Sequence, residues 1–145
     1  MKSITVRFDV SRPPTDVFAF LTDFSKLTKW RSIDEIRLEP EGALRPGTKL
    51  HSRVSAMMQK MTFVNEVTRL DPKTLAYSDK FLSGSFPIQS GWQVQPADNG
   101  SRIIWDTQFQ PRGTMRFLPF LLANGIRRGQ KADLLKLKRI LETTA

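Results

Sequence analysis

The sequence predicts an α+β fold in which one antiparallel sheet is covered by a single long helix near the C-terminal end. Two observations predict it. Apolar residues recur at helical spacing only towards the two ends, in Pro13 to Trp30 and about Thr114 to Thr143. Everything between them alternates as consecutive strands broken by short turn signals. A sheet of this kind must bury one face, and one amphipathic helix lying across it leads the sheet to curl. The space between sheet and helix can then become a cavity.

The elements follow in order. Ile4, Val6, Phe8 and Val10 alternate with Thr5, Arg7 and Asp9, which predicts a strand with one buried face. Pro13 and Pro14 suit the first helical positions, where no amide proton is needed, and Asp16 complements the helix dipole in the first turn. Val17, Phe18 and Leu21 form an apolar stripe, and Asp23 is placed to cap a second short helix running through Leu27 to Trp30. From Ile33 the period becomes two: Ile36 and Leu38 mark one strand, and Leu50, Val54, Ala56 and Met58 mark the next. Lys49, His51 and Arg53 occupy the other face of that second strand. Met61, Phe63 and Val67 mark another, and a turn about Asp71 and Pro72 leads into Leu75 to Tyr77. Gly84 opens a strand with Phe86, Ile88, Trp92 and Val94 in phase, and Pro87 is expected at its start, a bulge or an edge because it cannot donate to a ladder. The turn Pro96 to Gly100 precedes Ile103, Trp105, Thr107 and Phe109, and the hairpins together make a meander. In the final helix Ile126, Leu134, Leu137 and Leu141 share one stripe, and Pro119 marks either the true start or a kink.

Composition bounds the function. A chain of 145 residues, 39% hydrophobic and 26% charged, suits one globular domain spanning residues 1–145. Without Cys there are no disulfides, thiolate metal ligands or thiol nucleophile. With a single His, His51, neither a catalytic triad nor a His-rich metal site can be assembled, and no cofactor is implied. MKSITVRFDV alternates like a strand and lacks the apolar core of a signal peptide, so a cytoplasmic location is expected. Phe117 to Ile126 is the longest nearly uncharged apolar run and is far shorter than the roughly 20 residues a membrane helix requires. The net charge of +9 is concentrated towards the end, where eight basic residues after Pro111 face only Asp133 and Glu142. A solvated helix face accounts for this better than nucleic-acid binding, which is not expected. The apolar run with Arg116 at one end and Arg127 and Arg128 at the other also suits transient contact with an anionic membrane. Oligomerisation leaves no readable signature.

Several segments together carry a resemblance: PPTDVFAFLTDFSKLTKW (Pro13 to Trp30), PGT (Pro46 to Thr48), EVTRLDPKTLAY (Glu66 to Tyr77), NGSRIIW (Asn99 to Trp105) and ADLLKLKRILE (Ala132 to Glu142). By their order and spacing the chain resembles the START-like, or Bet v 1-like, superfamily (SRPBCC), and within it the bacterial polyketide cyclase/dehydrase branch. The resemblance implies a helix-grip fold: a curved antiparallel sheet of about seven strands wrapped around the C-terminal helix, with two short N-terminal helices and a hydrophobic cavity. It further implies binding of lipids, sterols, quinones or polyketide-like molecules, with catalysis in some members. No catalytic residue can be carried over, because the superfamily has no universal triad.

Strand phase then selects candidate ligand-binding residues. Inward polar positions are Ser52, Asn65, Tyr77, Ser90 and Thr107. Of these Asn65 and Tyr77 are the preferred anchors, since each can orient a carbonyl or hydroxyl of a mostly apolar ligand. Phe63, Trp92 and Trp105 are expected in the wall, and Phe117, Phe120 and Leu121 in a lid or entrance. The cluster Met57, Met58 and Met61 favours an adaptable apolar space. His51 and Asp106 are expected to face outward. The leading expectation is a protein that binds a hydrophobic or amphipathic small molecule internally without covalent chemistry. The first alternative is an enzyme of cyclase or dehydratase type using Tyr77, Asp79 or His51. The second is a module that docks on a membrane or an acidic protein through its basic helix.

Overall fold

A computed structural model of the chain describes residues 1–56 and 58–143. Strand β1 (Lys2–Val10) leads into α1 (Pro14–Leu21), a 3-10 turn (Phe24–Lys26) and the single-turn helix α2 (Leu27–Trp30). Six strands follow: β2 (Glu35–Glu39), β3 (Lys49–Ala56), β4 (Gln59–Asp71), β5 (Ala76–Gly84), β6 (Ile88–Ala97) and β7 (Gly100–Phe109). A second 3-10 turn (Gly113–Phe117) precedes α3 (Pro119–Thr143). The strands form one curved antiparallel sheet in the order β1-β7-β6-β5-β4-β3-β2, so the chain enters at one edge, crosses by α1 and α2 to the other, and meanders back. α3 lies across the concave face.

Local chemistry explains the boundaries. Pro14 occupies the first position of α1, and Asp23 accepts from Ser25 N (3.3 Å) and Ser25 Oγ (2.6 Å), capping the 3-10 turn rather than α2 itself. The closing helix begins at Pro119 and not near Thr114. Leu118, held before a proline, is excluded from helical backbone and adopts φ −131° and ψ 56°, which separates the 3-10 turn from α3. β6 extends through Pro96 to Ala97, tightening the expected turn to Asp98 and Asn99. At Gly100 (φ +151°) an added Cβ would lie 2.3 Å from the carbonyl oxygen of Val10, so only glycine lets this hairpin abut the end of β1.

The core lies beneath the C-terminal half of α3. Leu134 and Leu137 are fully buried, as are Ile103, Trp105 and Phe109 of β7 and Val17 and Leu21 of α1. Glu142 accepts from Ser11 N at 2.8 Å, tying the helix end to the chain leaving β1. Two irregularities shape the opposite end of the sheet. The β4–β5 register shifts between Val64 and Asn65 and again between Val67 and Arg69. The β5–β6 ladder pairs only Ala76 with Gln93, Tyr77 with Trp92 and Ser78 with Gly91, after which the two strands separate. Pro87 sits just before β6, where its missing donor costs nothing.

Candidate functional site

Between the N-terminal half of α3, α2 and strands β3 to β6 lies a cavity of about 360 Å³. Its walls are mostly apolar. Leu50 and Val54 of β3, Met61 and Phe63 of β4, Phe86, and Ile88 of β6 form the sheet side, with Leu122 and Ile126 opposite on α3. Leu121 and Gly125 both line the cavity and reach the surface, which puts its mouth beside the first turns of α3. The floor is aromatic. Tyr77 stacks on Trp92 (ring centroids 4.7 Å apart), Phe24 meets both, and Trp30 joins Trp92 to Trp105 at 5.9 and 6.1 Å.

The stripe of α3 that faces the sheet explains why there is a cavity at all. At the helix end it carries Leu134, Leu137 and Leu141, but nearer the start it carries Gly125 and Gly129, one turn apart. Nothing lies within 4 Å of where a Cβ would stand on either glycine. Each costs the helix about 1 kcal/mol relative to alanine. The result is open space where a side chain would otherwise fill the concave face.

Polar groups gather at the inner end. Where β5 and β6 separate, the Asp79 carboxylate occupies the gap. Oδ1 accepts from Ser90 N and from Asn65 Nδ2, each at 3.1 Å, and Oδ2 accepts from the Tyr77 hydroxyl at 2.7 Å. Asn65 Nδ2 also donates to the Ile88 carbonyl at 2.8 Å, so Asn65 and Asp79 together replace the missing ladder. Across the floor, Arg31 leaves α2 in extended conformation, and its guanidinium lies 4.6 Å over the Trp105 ring. Its Nε is 3.4 Å from Asp133 Oδ2 of α3. Asp133 also accepts from Ser32 Oγ (2.8 Å) and Ser32 N (3.2 Å), which joins α2 to α3.

Burial dominates the electrostatics. Asp79 lies deep within the protein, although part of its surface faces the cavity. Desolvation raises its pKa above the ordinary carboxylate value, against the opposing pull of Tyr77, Ser90, Asn65 and Arg31. Burial, and then the neighbouring Asp79 charge, hold the Tyr77 phenol well above its usual pKa, so it stays protonated as a donor. Burial also lowers the Arg31 pKa, opposed by Asp133 and Asp79, and a guanidinium still keeps its charge. Three buried polar atoms on this wall, Arg31 Nε, Trp92 Nε1 and Gln130 Oε1, have no hydrogen-bond partner among the described residues.

Of the residues selected from sequence, Phe63, Asn65, Tyr77, Ser90, Trp92 and Leu121 line the cavity, together with Ser52. Four do not. Trp105 is fully buried behind Trp92, because β7 runs beside β1 under the packed half of α3. Thr107 is buried too, accepting a 2.6 Å hydrogen bond from Gln130 Nε2. Phe117 and Phe120 are 70% and 60% exposed and belong to the outer surface. Phe117 falls in the 3-10 turn, and Phe120 lies about 200° around the helix from Leu122. Met61 lines the cavity, Met58 is wholly exposed, and Met57 lies outside the described residues. His51 is on the far face of β3, 3.0 Å from Glu39 Oε1, and Asp106 is exposed, accepting from Thr5 Oγ1. The sequence reading passed over Arg31, Asp133, Gln130, Gly125 and Gly129 as site residues. Two glycines four apart inside an otherwise helical pattern were a readable signal, whereas nothing local distinguishes Arg31 from its solvated neighbours.

A seven-stranded antiparallel sheet gripping a C-terminal helix over an apolar cavity defines the helix-grip class of START-like and Bet v 1-like proteins. The chain belongs to the family described as polyketide cyclase/dehydrase and lipid transport, which matches residues 1–142. The fold is similar to that of TTHA0849 from Thermus thermophilus (TM-score 0.85, 17% identity, covering 99% of this chain and 100% of that one). It is also similar to the Zhui aromatase/cyclase from Streptomyces sp. R1128 (0.77, 14% identity, 97% and 93%) and to Ara h 8.0201 (0.76, 16% identity, 99% of each chain). A comparison with curated proteins finds no match. Among the described residues no helix is long and apolar enough to cross a membrane.

The raised pKa of Asp79 has a signed consequence. Because the folded value exceeds the unfolded one, its contribution to stability is greatest below the unfolded pKa and declines as pH rises through the folded value. Asp79→Asn removes this dependence. Chemical denaturation from about pH 4 to about pH 8 is therefore expected to show the stability of the wild type falling relative to Asp79→Asn as the pH rises.

Proposed function

We propose that the protein binds a hydrophobic or amphipathic small molecule in the cavity under α3, without covalent chemistry. The observation that carries this reading is the unfilled concave face above Gly125 and Gly129. A helix that accepts two glycines where leucines would pack gives up stability to keep space. The cavity volume and its apolar walls with a few converging polar groups suit a lipid, quinone, sterol or polyketide-like ligand. Affinity arises mainly from burying apolar ligand surface, at about 25 cal/mol per Å² before the costs of association. Asn65, Tyr77 and Ser90 orient the polar end, while Phe63, Trp92 and Leu121 contact the body. Solvent extraction followed by mass spectrometry, with thermal shifts against fatty acids, sterols, quinones and flavonoids, is expected to reveal bound ligand and a raised Tm. Gly129→Leu is expected to keep the fold and abolish both signals. A Gly129→Leu variant that binds as the wild type does would sink the reading.

A cyclase or dehydratase activity is the second reading, favoured by the Tyr77–Asp79 hydrogen bond in an apolar cavity. Buried acid–base pairs of this kind suit proton transfer to and from a reactive polyketide. His51 is directed away from the cavity and takes no part. Turnover of a reactive poly-β-ketone is expected to be lost in Tyr77→Phe and retained in His51→Ala. Unchanged turnover in Tyr77→Phe excludes this chemistry.

A specific surface feature supports transient contact with an anionic membrane. Phe117, Leu118, Phe120 and Leu121 are all exposed within five positions, Leu121 also lining the cavity, and Arg116 lies 4.8 Å over the Phe117 ring. Apolar rings beside basic side chains suit the boundary of an acidic bilayer. Flotation with anionic vesicles at low salt is expected to recover the protein, neutral vesicles are expected to recover much less, and Phe117→Ser with Phe120→Ser is expected to abolish the difference.

A further inference from the structure

Among the described residues, the charged groups lining the cavity are Arg31, Asp79 and Asp133: one positive side chain and two negative ones in a largely apolar space. Their hydrogen bonding is uneven. Asp133 is 5% exposed, accepts from Ser32 and is ion-paired with Arg31 Nε, and Asp79 accepts from Asn65, Ser90 and Tyr77. Arg31 differs. Its Nε is ion-paired with Asp133 Oδ2 at 3.4 Å but makes no hydrogen bond among the described residues, no hydrogen bond is made by its terminal nitrogens there either, and a quarter of the side chain, which lines the cavity, remains accessible. A guanidinium carries five donors, so Arg31 offers up to four N–H groups to whatever oxygen reaches it.

These donors invite an acceptor oxygen, but the charge count restricts which kind. With Asp79 and Asp133 both ionised, the cluster already carries one excess negative charge. Placing a carboxylate beside Arg31 would bring a third anion into a poorly screened space where the one cation among the described lining residues is already paired. A carbonyl or ester oxygen brings the acceptor without the charge. Asp79, set in the gap between β5 and β6 on the cavity wall, is a carboxylate able to yield, because burial already favours its neutral form. On protonation at Oδ2 the Tyr77 hydroxyl can rotate from donor to acceptor, keeping that hydrogen bond, while Oδ1 still accepts from Ser90 and Asn65. Asp133 is held by Ser32 and Arg31.

We propose that Arg31, Asp79 and Asp133 form a head-group filter: the site takes a ligand whose head is a neutral acceptor oxygen, and takes a carboxylate only together with one proton from solvent on Asp79. The inference rests on the cavity-binding reading and adds the chemical class of the ligand's polar end. Arg31 is the selecting residue, and Asp79 adjusts the charge.

Decane, methyl decanoate and decanoate, titrated calorimetrically at about pH 8 in two buffers of different ionisation heat, separate the terms. Methyl decanoate is expected to bind without proton exchange. Decanoate is expected to bind more weakly and to take up one proton, its affinity rising by up to about tenfold for each unit the pH is lowered towards 6. In Asp79→Asn the uptake is expected to disappear and decanoate to tighten by about tenfold. Carboxyl-labelled decanoate is expected to keep its ionised carbon NMR shift when bound to the wild type, which identifies the protein as the proton acceptor even if Asp79→Asn does not fold. Arg31→Gln is expected to weaken methyl decanoate against decane. Decanoate binding without uptake, a bound ligand in its acid form, or an unchanged methyl decanoate to decane ratio in Arg31→Gln overturns the filter while leaving the cavity reading intact. Failure of all three probes to bind overturns both.

Discussion

One helix has to cover the concave face of a seven-stranded sheet, and it fills only half of it. Everything of functional interest follows from that constraint. In its second half α3 carries leucines that close against β1, β7 and α1, and no space is left there. In its first half the same stripe carries Gly125 and Gly129, and the concave face there stays open. Core and cavity are therefore two ends of a single interface, distinguished by side-chain volume rather than by backbone geometry.

The polar cluster depends on a second departure from regularity. A continuous β5–β6 ladder would leave no room for a carboxylate, but the strands part after Ser78 and Gly91. Asp79 then supplies an acceptor for the orphaned amide of Ser90, and Asn65 reaches across to the Ile88 carbonyl. The backbone hydrogen bonds lost by parting are recovered by side chains that also face the cavity. Structural repair and a binding surface are thus the same atoms. The Arg31–Asp133 contact works similarly, since it fastens α2 to α3 while directing the rest of the guanidinium inward.

How much of this could be read in advance depends on the range of the cause. The two-residue alternation of the strands is local, and it correctly placed Phe63, Asn65, Tyr77, Ser90 and Trp92 on the concave side and His51 and Asp106 on the other. It could not tell Trp92 from Trp105. Both face inward and lie opposite each other on neighbouring strands, but one is on the cavity floor and the other behind it. Phase gives the face and not the depth. The lid residues were misplaced for a different reason: Pro119, one of the two readings of the helix start, is where α3 begins, which leaves Phe117 in the 3-10 turn, and the helical phase set from there turns Phe120 outward.

The sequence by itself determined the order of elements, the inward face of each strand and the absence of thiol chemistry, because these depend on residue type and on spacing within a few positions. The tertiary structure alone decided that Arg31, from a short helix near the start of the chain, meets Asp133, about a hundred residues later, and shares a cavity with Asp79. No local pattern encodes that meeting. It arises because the sheet curves far enough to bring α2 against α3, and a charge acquires its role only when its neighbours and its dielectric surroundings are set.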